Sequence, residues 1–169
     1  MTSLIPMSTP QIYSHLSNTK VYKKKVHVCE NNLEQEIHTN DDFSIFSCIL
    51  KKSGLEIFKK NYNFTLFVPS NSSLEGLIDY NNIDRSTAIQ IVLSSTLKDK
   101  IPSELLESTS FSYYKTLNKI QKLIISSDKD LNLYINSNSP KCIKVIKKNL
   151  EFCDGIIHVI DGLIVPYII

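Results

Sequence analysis

A histidine and an aspartate near the carboxyl end are the residues best placed by type and spacing to do chemistry. His158 stands in an apolar run, and Asp161 follows three residues later. On a strand such positions point to opposite faces, so Asp161 is a poor partner for orienting the imidazole. The chain also lacks a Gly-x-Ser-x-Gly turn that would present a serine nucleophile. We therefore interpret His158 as a buried imidazole satisfied by backbone groups, and we predict that the protein is not an enzyme.

The sequence predicts no cofactor and no metal site. The four cysteines form no Cys-x-x-Cys pair of the kind that holds structural zinc, and the acidic residues lack the spacing of a calcium loop. Four scattered glycines cannot build a phosphate-binding loop. Because the N-terminal residues do not resemble a signal peptide, we interpret the cysteines as free thiols.

Lysine clusters are the remaining candidates for binding chemistry. A net charge of +2 is too small to predict a nucleic-acid partner, and a single arginine, Arg85, argues against bidentate phosphate clamps. We expect the clusters to be mostly solvated surface, with contact to a polyanion such as a glycosaminoglycan as the alternative. They are Lys23–Lys25, Lys51 and Lys52, Lys59 and Lys60, and Lys141, Lys144, Lys147 and Lys148.

Helical patterns dominate the region around residues 41–97. The first helix is predicted to begin at Asp41 or Asp42, which supply N-cap oxygens, and to end at Gly54. Ser72 and Glu75 have the spacing of a capping box, which predicts a second helix carrying Leu74, Leu77 and Ile78 on one face. Apolar residues at helical spacing predict a third helix from residue 86 to about residue 97.

Strand-like patterns dominate the second half of the chain. A helical turn is predicted at Pro102–Leu106, and short apolar runs separated by turn-rich segments follow. These runs are Leu123–Ile125, Leu131–Ile135, Ile143–Ile146 and Ile156–Ile160. One earlier strand, Phe64–Val68, is closed by Pro69. Helices first and strands later predict an α+β fold.

The first 38 residues differ in character from the rest. They contain two prolines and a lysine run, and Val21–Cys29 has the weak alternation of an edge strand. We predict a partly ordered extension over residues 1–38 and one domain over residues 39–169. No stretch has the roughly 20 apolar residues of a membrane helix. Without a signal-peptide pattern we expect a cytoplasmic or non-classically released protein. Abundant lysine, isoleucine and asparagine indicate an AT-rich genome.

Two segments resemble the signature motifs of the fasciclin domain. The run TLFVPSN matches the family's Thr-hydrophobic-Phe-hydrophobic-Pro-Thr/Ser strand with its following Asn or Asp. The run DGIIHVID, followed by a last strand Leu163–Pro166, matches the second motif, with Asp154 in place of the usual asparagine. The motif residues are, in order, Thr65, Phe67, Pro69, Asn71, Gly155, His158, Asp161 and Pro166.

The resemblance implies a wedge of two β-sheets with N-terminal helices packed on it. It also implies non-catalytic adhesion or protein–protein interaction, mostly outside cells. The alternative is an intracellular interaction protein that keeps the fold without adhesion.

The resemblance further implies where a partner would bind. Family members that bind integrins often carry a Tyr-His pair and an Asp-Ile pair. The matching positions here are Ser94-Ser95 and Asn149-Leu150. An asparagine cannot offer a carboxylate to an integrin-bound metal, so we do not expect an integrin partner. These four positions are the predicted interaction surface for some other protein.

Overall fold

Helices precede most of the strands along the chain, which confirms the predicted α+β class. The computed structural model describes residues 30–59, 62–137 and 141–167. The α-helices in these ranges are α1 (Leu33–Thr39), α2 (Ser44–Ser53), α3 (Asn71–Leu74), α4 (Arg85–Ser94) and α5 (Ser103–Glu107), with 3-10 turns at Asp41–Phe43 and Ile57–Lys59. The strands are β1 (Phe64–Pro69), β2 (Thr96–Lys98), β3 (Phe111–Lys115), β4 (Lys122–Ser127), β5 (Leu133–Asn136), β6 (Ile143–Phe152) and β7 (Gly155–Ile160).

The seven strands form one mixed sheet that is nearly closed. Their order is β2-β1-β7-β6-β5-β4-β3, and β1 pairs with β7 in parallel while the other neighbours are antiparallel. An isolated bridge between Leu97 and Thr116 brings the β2 edge against the residue that follows β3. The strand order is therefore continuous, and it does not confirm the expected wedge of two separate sheets.

The central strands β1 and β7 carry no exposed residue. All six residues of each strand are buried, because each strand separates two apolar clusters. Leu66 of β1 and Ile157 of β7 face the first cluster, together with α1, α2 and α4. Phe67 and Ile160 face the second cluster, which is completed by the inner residues of β4, β5 and β6. Burial on both faces explains why these strands read as continuous apolar runs.

Helix α2 occupies the place that the sequence predicts, but it begins differently. Asn40, and not Asp41 or Asp42, supplies the oxygen that caps the 3-10 turn. The α2 backbone is capped from a distance: Asn71 Oδ1 accepts from Ile45 N at 3.0 Å, and Asn71 Nδ2 donates to Asp41 O at 2.8 Å. Gly54 ends the helix with φ 65°, as predicted for a glycine at this position.

Two predicted helices are shorter in the structure. The predicted capping box is wrong: α3 has only four residues, begins after Ser70 and makes no side-chain cap bond. Leu77, expected on its apolar face, is 65 % exposed. Helix α4 ends at Ser94, with Ser95 as its C-cap residue, because Thr96–Lys98 pair with β1 as strand β2. Pairing across the sheet thus overrides the helical spacing of the sequence.

Strand boundaries in the second half also differ from the prediction. The four predicted strands are present, although β6 is longer and extends to Phe152. Strand β3 was not predicted, because its aromatic residues Phe111 and Tyr113 face solvent, where an amphipathic strand usually carries polar residues. Leu163–Pro166, expected to be a strand, has no regular secondary structure. The strand predicted at Val21–Cys29 lies outside the described residues.

Helix α1 belongs to the packed unit Asn31–Ile169. Its residues Leu33 and Ile37 have no exposed surface and join the first apolar cluster. Asp154 Oδ1 accepts from Leu33 N at 2.9 Å, at the amino-terminal end of the helix. The boundary between residues 38 and 39 stays a prediction. Helix α1 lies across this boundary, and its residues Leu33 and Ile37 pack in the core of the domain.

Candidate interaction site

Residues of the two motifs both contact Ile101, which lies in the loop after β2. Thr65 Oγ1 accepts from Ile101 N at 2.7 Å and donates to Asp99 O at 2.8 Å. His158 contacts the carbonyl oxygen of the same residue, with Nε2 and Ile101 O 2.9 Å apart. A threonine on β1 and a histidine on β7 therefore fix this loop against the sheet.

His158 is a structural imidazole in its neutral form. It is fully buried and stacks on Phe67, with ring centroids 5.6 Å apart. Its Nδ1 lies 3.2 Å from Asn149 N, which can only donate, whereas Ile101 O can only accept. The proton must therefore lie on Nε2. Burial lowers the pKa of His158, and both ring nitrogens are used, so the imidazole is not free for chemistry.

Asn149 is committed to the start of α5. It has φ 59°, a left-handed conformation that asparagine tolerates well. Its Oδ1 accepts from Ser103 N at 2.8 Å, while its Nδ2 donates to Ser103 Oγ at 2.7 Å and to Glu104 Oε1 at 3.2 Å. Because Pro102 provides no cap for α5, Asn149 takes over that function. Leu150 beside it is half-buried and packs on the first apolar cluster.

The other predicted pair is buried. Ser94 and Ser95 have no exposed surface. Ser95 Oγ donates to Ile91 O within α4, and Ser94 Oγ donates to Gln121 Oε1 at 2.8 Å. Gln121 in turn donates through Nε2 to Val165 O at 2.9 Å, beside Pro166. The interaction surface at the four positions stays a prediction, and burial of both serines argues against a direct contact there.

The remaining motif residues stabilise the packing and pairing of the strands. A side chain on Gly155 would collide with Phe64 O and with Leu33, so glycine allows β7 to approach β1. Asp161 Oδ1 accepts from Lys144 N at 2.7 Å, just past the end of β7. Pro69 pairs with Ile160 at the end of the parallel ladder.

The solvent side of β3, β4 and β5 carries aromatic and apolar residues. Phe111 lies opposite Ser126, and Tyr113 lies opposite Ile124. Phe111 is 51 % exposed and Tyr113 is 64 % exposed, and their rings pack edge to face with centroids 5.0 Å apart. Tyr134 on β5 faces the same side, opposite Ser126. We call Phe111, Tyr113, Ile124 and Tyr134 the outer aromatic face.

Several lysines of the clusters predicted from the sequence are already paired within the domain. Lys23–Lys25 and Lys60 lie outside the described residues. Lys148 Nζ lies 2.6 Å from Glu107 Oε1 and donates to Leu131 O. Lys59 pairs with Glu56 at 3.2 Å, and Lys52 donates to Asn81 O. Carboxylates or carbonyls therefore already occupy several of these ammonium groups.

A different set of lysines comes together beside the outer aromatic face. Lys115 and Lys122 lie directly opposite each other on β3 and β4. The bridge between Leu97 and Thr116 places Lys98 next to Lys115 across the closing edge of the sheet. We call Lys98, Lys115 and Lys122 the lysine row. All three are exposed. Sequence reasoning missed them because β3 was not predicted, so the pairing of Lys115 with Lys122 and their proximity to Lys98 were not visible.

Two cysteine predictions have different outcomes. Cys48 and Cys142 are free thiols, as predicted. Cys153 is disulfide-bonded, so the prediction of a free thiol is wrong there. Within the described ranges no three His, Cys, Asp or Glu side chains are grouped so that they could hold a metal ion. Nor does any helix in this part of the chain have the length and apolarity needed to cross a membrane.

Comparison with protein families decides the identity of the fold. The fasciclin domain model matches residues 41–166. The chain belongs to the fasciclin family. A solved structure described as a FAS1 domain pair from the insect cell adhesion molecule fasciclin I is similar, with a TM-score of 0.64 and 18 % sequence identity. The match covers 82 % of this chain and 52 % of that one, so this chain spans about half the length of the domain pair. No curated protein sequence matches the chain.

The motif residues belong to the fold that this chain shares with other fasciclin domains. Fasciclin domains are typically involved in cell adhesion and protein interaction and are generally non-enzymatic. In this fasciclin domain Thr65, His158 and Asn149 make their contacts within the protein. The outer aromatic face lies outside the family motifs.

Proposed function

We propose that this fasciclin domain is a non-enzymatic adhesion and protein-interaction module that binds a folded partner protein through the outer aromatic face. The observation that carries the proposal is the exposure of Phe111 and Tyr113 on the solvent-facing side of strand β3. Large rings left in water are costly, and tyrosine and phenylalanine are enriched where proteins bind each other.

The composition of the face fits a protein contact. Ile124 and Tyr134 extend it across two further strands, and Ser126 lies between Phe111 and Tyr134. Apolar and aromatic groups at the centre, with lysines at the margin, are the arrangement of an interface core and its polar rim. Rigid aromatic side chains on strands also lose little conformational entropy on binding.

The disulfide at Cys153 supports an extracellular place of action. Disulfides persist in oxidising compartments and are rare in the cytosol. The same observation argues against the alternative of an intracellular interaction protein. An integrin partner is not supported, because the Asn149 side chain carries no charge and its amide is bonded to Ser103 and Glu104.

Cell attachment to surfaces coated with the full chain tests this function. The double variant Phe111→Ser/Tyr113→Ser removes the centre of the face. The matched control, Tyr62→Ser/Leu105→Ser, removes two residues that are each 57 % exposed elsewhere on the molecule. We expect attachment to the wild type and to the control, and at least about tenfold less to the face variant, a typical effect of losing interface anchors.

Two treatments define the partner in the same assay. Attachment that persists after enzymatic removal of cell-surface sulfated glycans, and in the presence of a metal chelator, fits a protein partner other than an integrin. Equal attachment to the wild type and the face variant would contradict the proposed surface. No attachment to any form of the protein would contradict the adhesion role itself.

A further inference from the structure

We propose that the lysine row, at the margin of the outer aromatic face, is a binding site for a sulfated polysaccharide chain. Lys98, Lys115 and Lys122 lie on three neighbouring strands at the closing edge of the sheet. Neighbouring strands are about 4.8 Å apart, so the backbone positions of the three lysines span roughly 10 Å. Lys119, exposed in the turn between β3 and β4, adds a fourth positive charge nearby.

Within the described ranges, the lysine row has no carboxylate paired with it. Among the described residues, none of these four lysines forms an ion pair. Lys115 and Lys122 are a like-charge pair directly across an antiparallel ladder, an arrangement that costs stability. An anion bound between them would remove that repulsion, because it supplies the missing negative charge.

The chemistry of lysine favours a polymer with repeated, simple anionic groups. An ammonium group acts as a point charge with rotatable donors and does not read a planar group as a guanidinium does. The only arginine, Arg85, donates through Nε to Ser53 O at the end of α2. A sulfated polysaccharide carries such simple charges along an extended chain, which can lie across the exposed strands.

The aromatic residues beside the row argue against single-stranded nucleic acid as the occupant. Successive bases need rings that offer parallel faces for stacking. The Phe111 and Tyr113 rings are instead nearly perpendicular, at 87°, and pack on each other. The net charge of +2 is also too small for general attraction to a polyanion, so binding would depend on the local row.

Binding of a size-defined heparin octasaccharide to the full chain at about 0.15 M salt tests the proposal. The site variant is Lys98→Gln/Lys115→Gln/Lys122→Gln. The control is Lys51→Gln/Lys129→Gln/Lys147→Gln, which removes three other exposed lysines and changes the net charge equally. We expect salt-sensitive binding, a Kd about tenfold higher for the site variant, and little change for the control.

Stability and competition measurements complete the test. The site variant is expected to melt at the same or a slightly higher temperature than the wild type, because the Lys115–Lys122 repulsion is lost. The proposal is overturned if the octasaccharide does not bind, or if both triple variants lose affinity equally. It is also overturned if a single-stranded oligonucleotide or polyglutamate of similar charge binds more tightly. Loss of heparin binding with normal cell attachment would leave the protein-binding function standing.

Discussion

The central strands and the β3 edge of the same sheet use aromatic side chains in opposite ways. Phe67 on β1 has no exposed surface, and it stacks on His158. Tyr113 on β3 is 64 % exposed and contacts Phe111 at the protein surface. The first region contains the family motifs and stabilises the domain. The second lies outside the motifs, and its large aromatic side chains are exposed instead of packed in a core.

The two regions also differ in how polar groups are satisfied. Around β1 and β7, the side chains of Thr65, His158 and Asn149 bond to backbone groups of other elements. Along β3 and β4, Lys115 and Lys122 are exposed and pair with no carboxylate in the part of the chain that the structure describes. The contacts of the motif residues therefore stabilise the fold, whereas Lys115 and Lys122 make no corresponding contact to another element among the described residues.

The same substitution in the two regions gives the largest expected difference. We expect Phe67→Ala to lower the free energy of unfolding by about 4 kcal/mol, because it leaves a cavity in the second apolar cluster. Phe111→Ala should lower it by less than about 0.5 kcal/mol, since the ring is half in water. Urea denaturation of both variants measures this. A similar loss of unfolding free energy in both variants would show that the β3 edge is part of the core, and it would contradict the proposed difference between the two regions.

Replacement of Asn149 tests the link between β6 and α5. We expect Asn149→Ala to cost about 2 kcal/mol, from loss of the cap on Ser103 and strain at φ 59°. Asn149→Gly relieves the backbone strain but still loses the cap, so it should cost about 1 kcal/mol less. Chemical denaturation gives both values. If Asn149→Gly is as stable as the wild type, the side-chain bonds contribute nothing.

A smaller effect is expected from the titration of His158. Burial lowers its pKa in the folded protein below the ordinary value near 6.5. The stability contributed by the neutral imidazole is therefore fully present above pH 6.5. It is lost as the pH falls from 6.5 through the folded-state pKa, because the unfolded chain binds the proton more readily.

The variants His158→Ala and His158→Gln isolate this effect. Both should melt at a lower temperature than the wild type at pH 7.5, and the difference should shrink as the pH is lowered below 6.5. Cell attachment by the folded fraction should be unchanged. A difference that is constant with pH would contradict the neutral assignment, and lost attachment at unchanged stability would contradict a purely structural role.

The sequence predicted the buried strands of the fold better than it predicted the interaction surface, for a physical reason. Runs such as Phe64–Val68 and Ile156–Ile160 are apolar on both faces, and only a doubly covered strand satisfies that pattern. The positions Ser94 and Ser95 were predicted to be on the surface, yet both are buried. Whether a short polar residue lies inside depends on partners such as Gln121, which lies 27 residues from Ser94. No local pattern reports such a contact.

By itself the sequence determined the α+β class, the two motif strands and the structural character of His158, because these depend on local alternation and on residue type. Only the tertiary structure decided that Asn71 caps α2, that Thr65 and His158 hold Ile101, and that the lysine row exists. Each of these brings together residues distant in the chain. Sheet register decides which side chains become neighbours, and register follows from the packing of the whole domain.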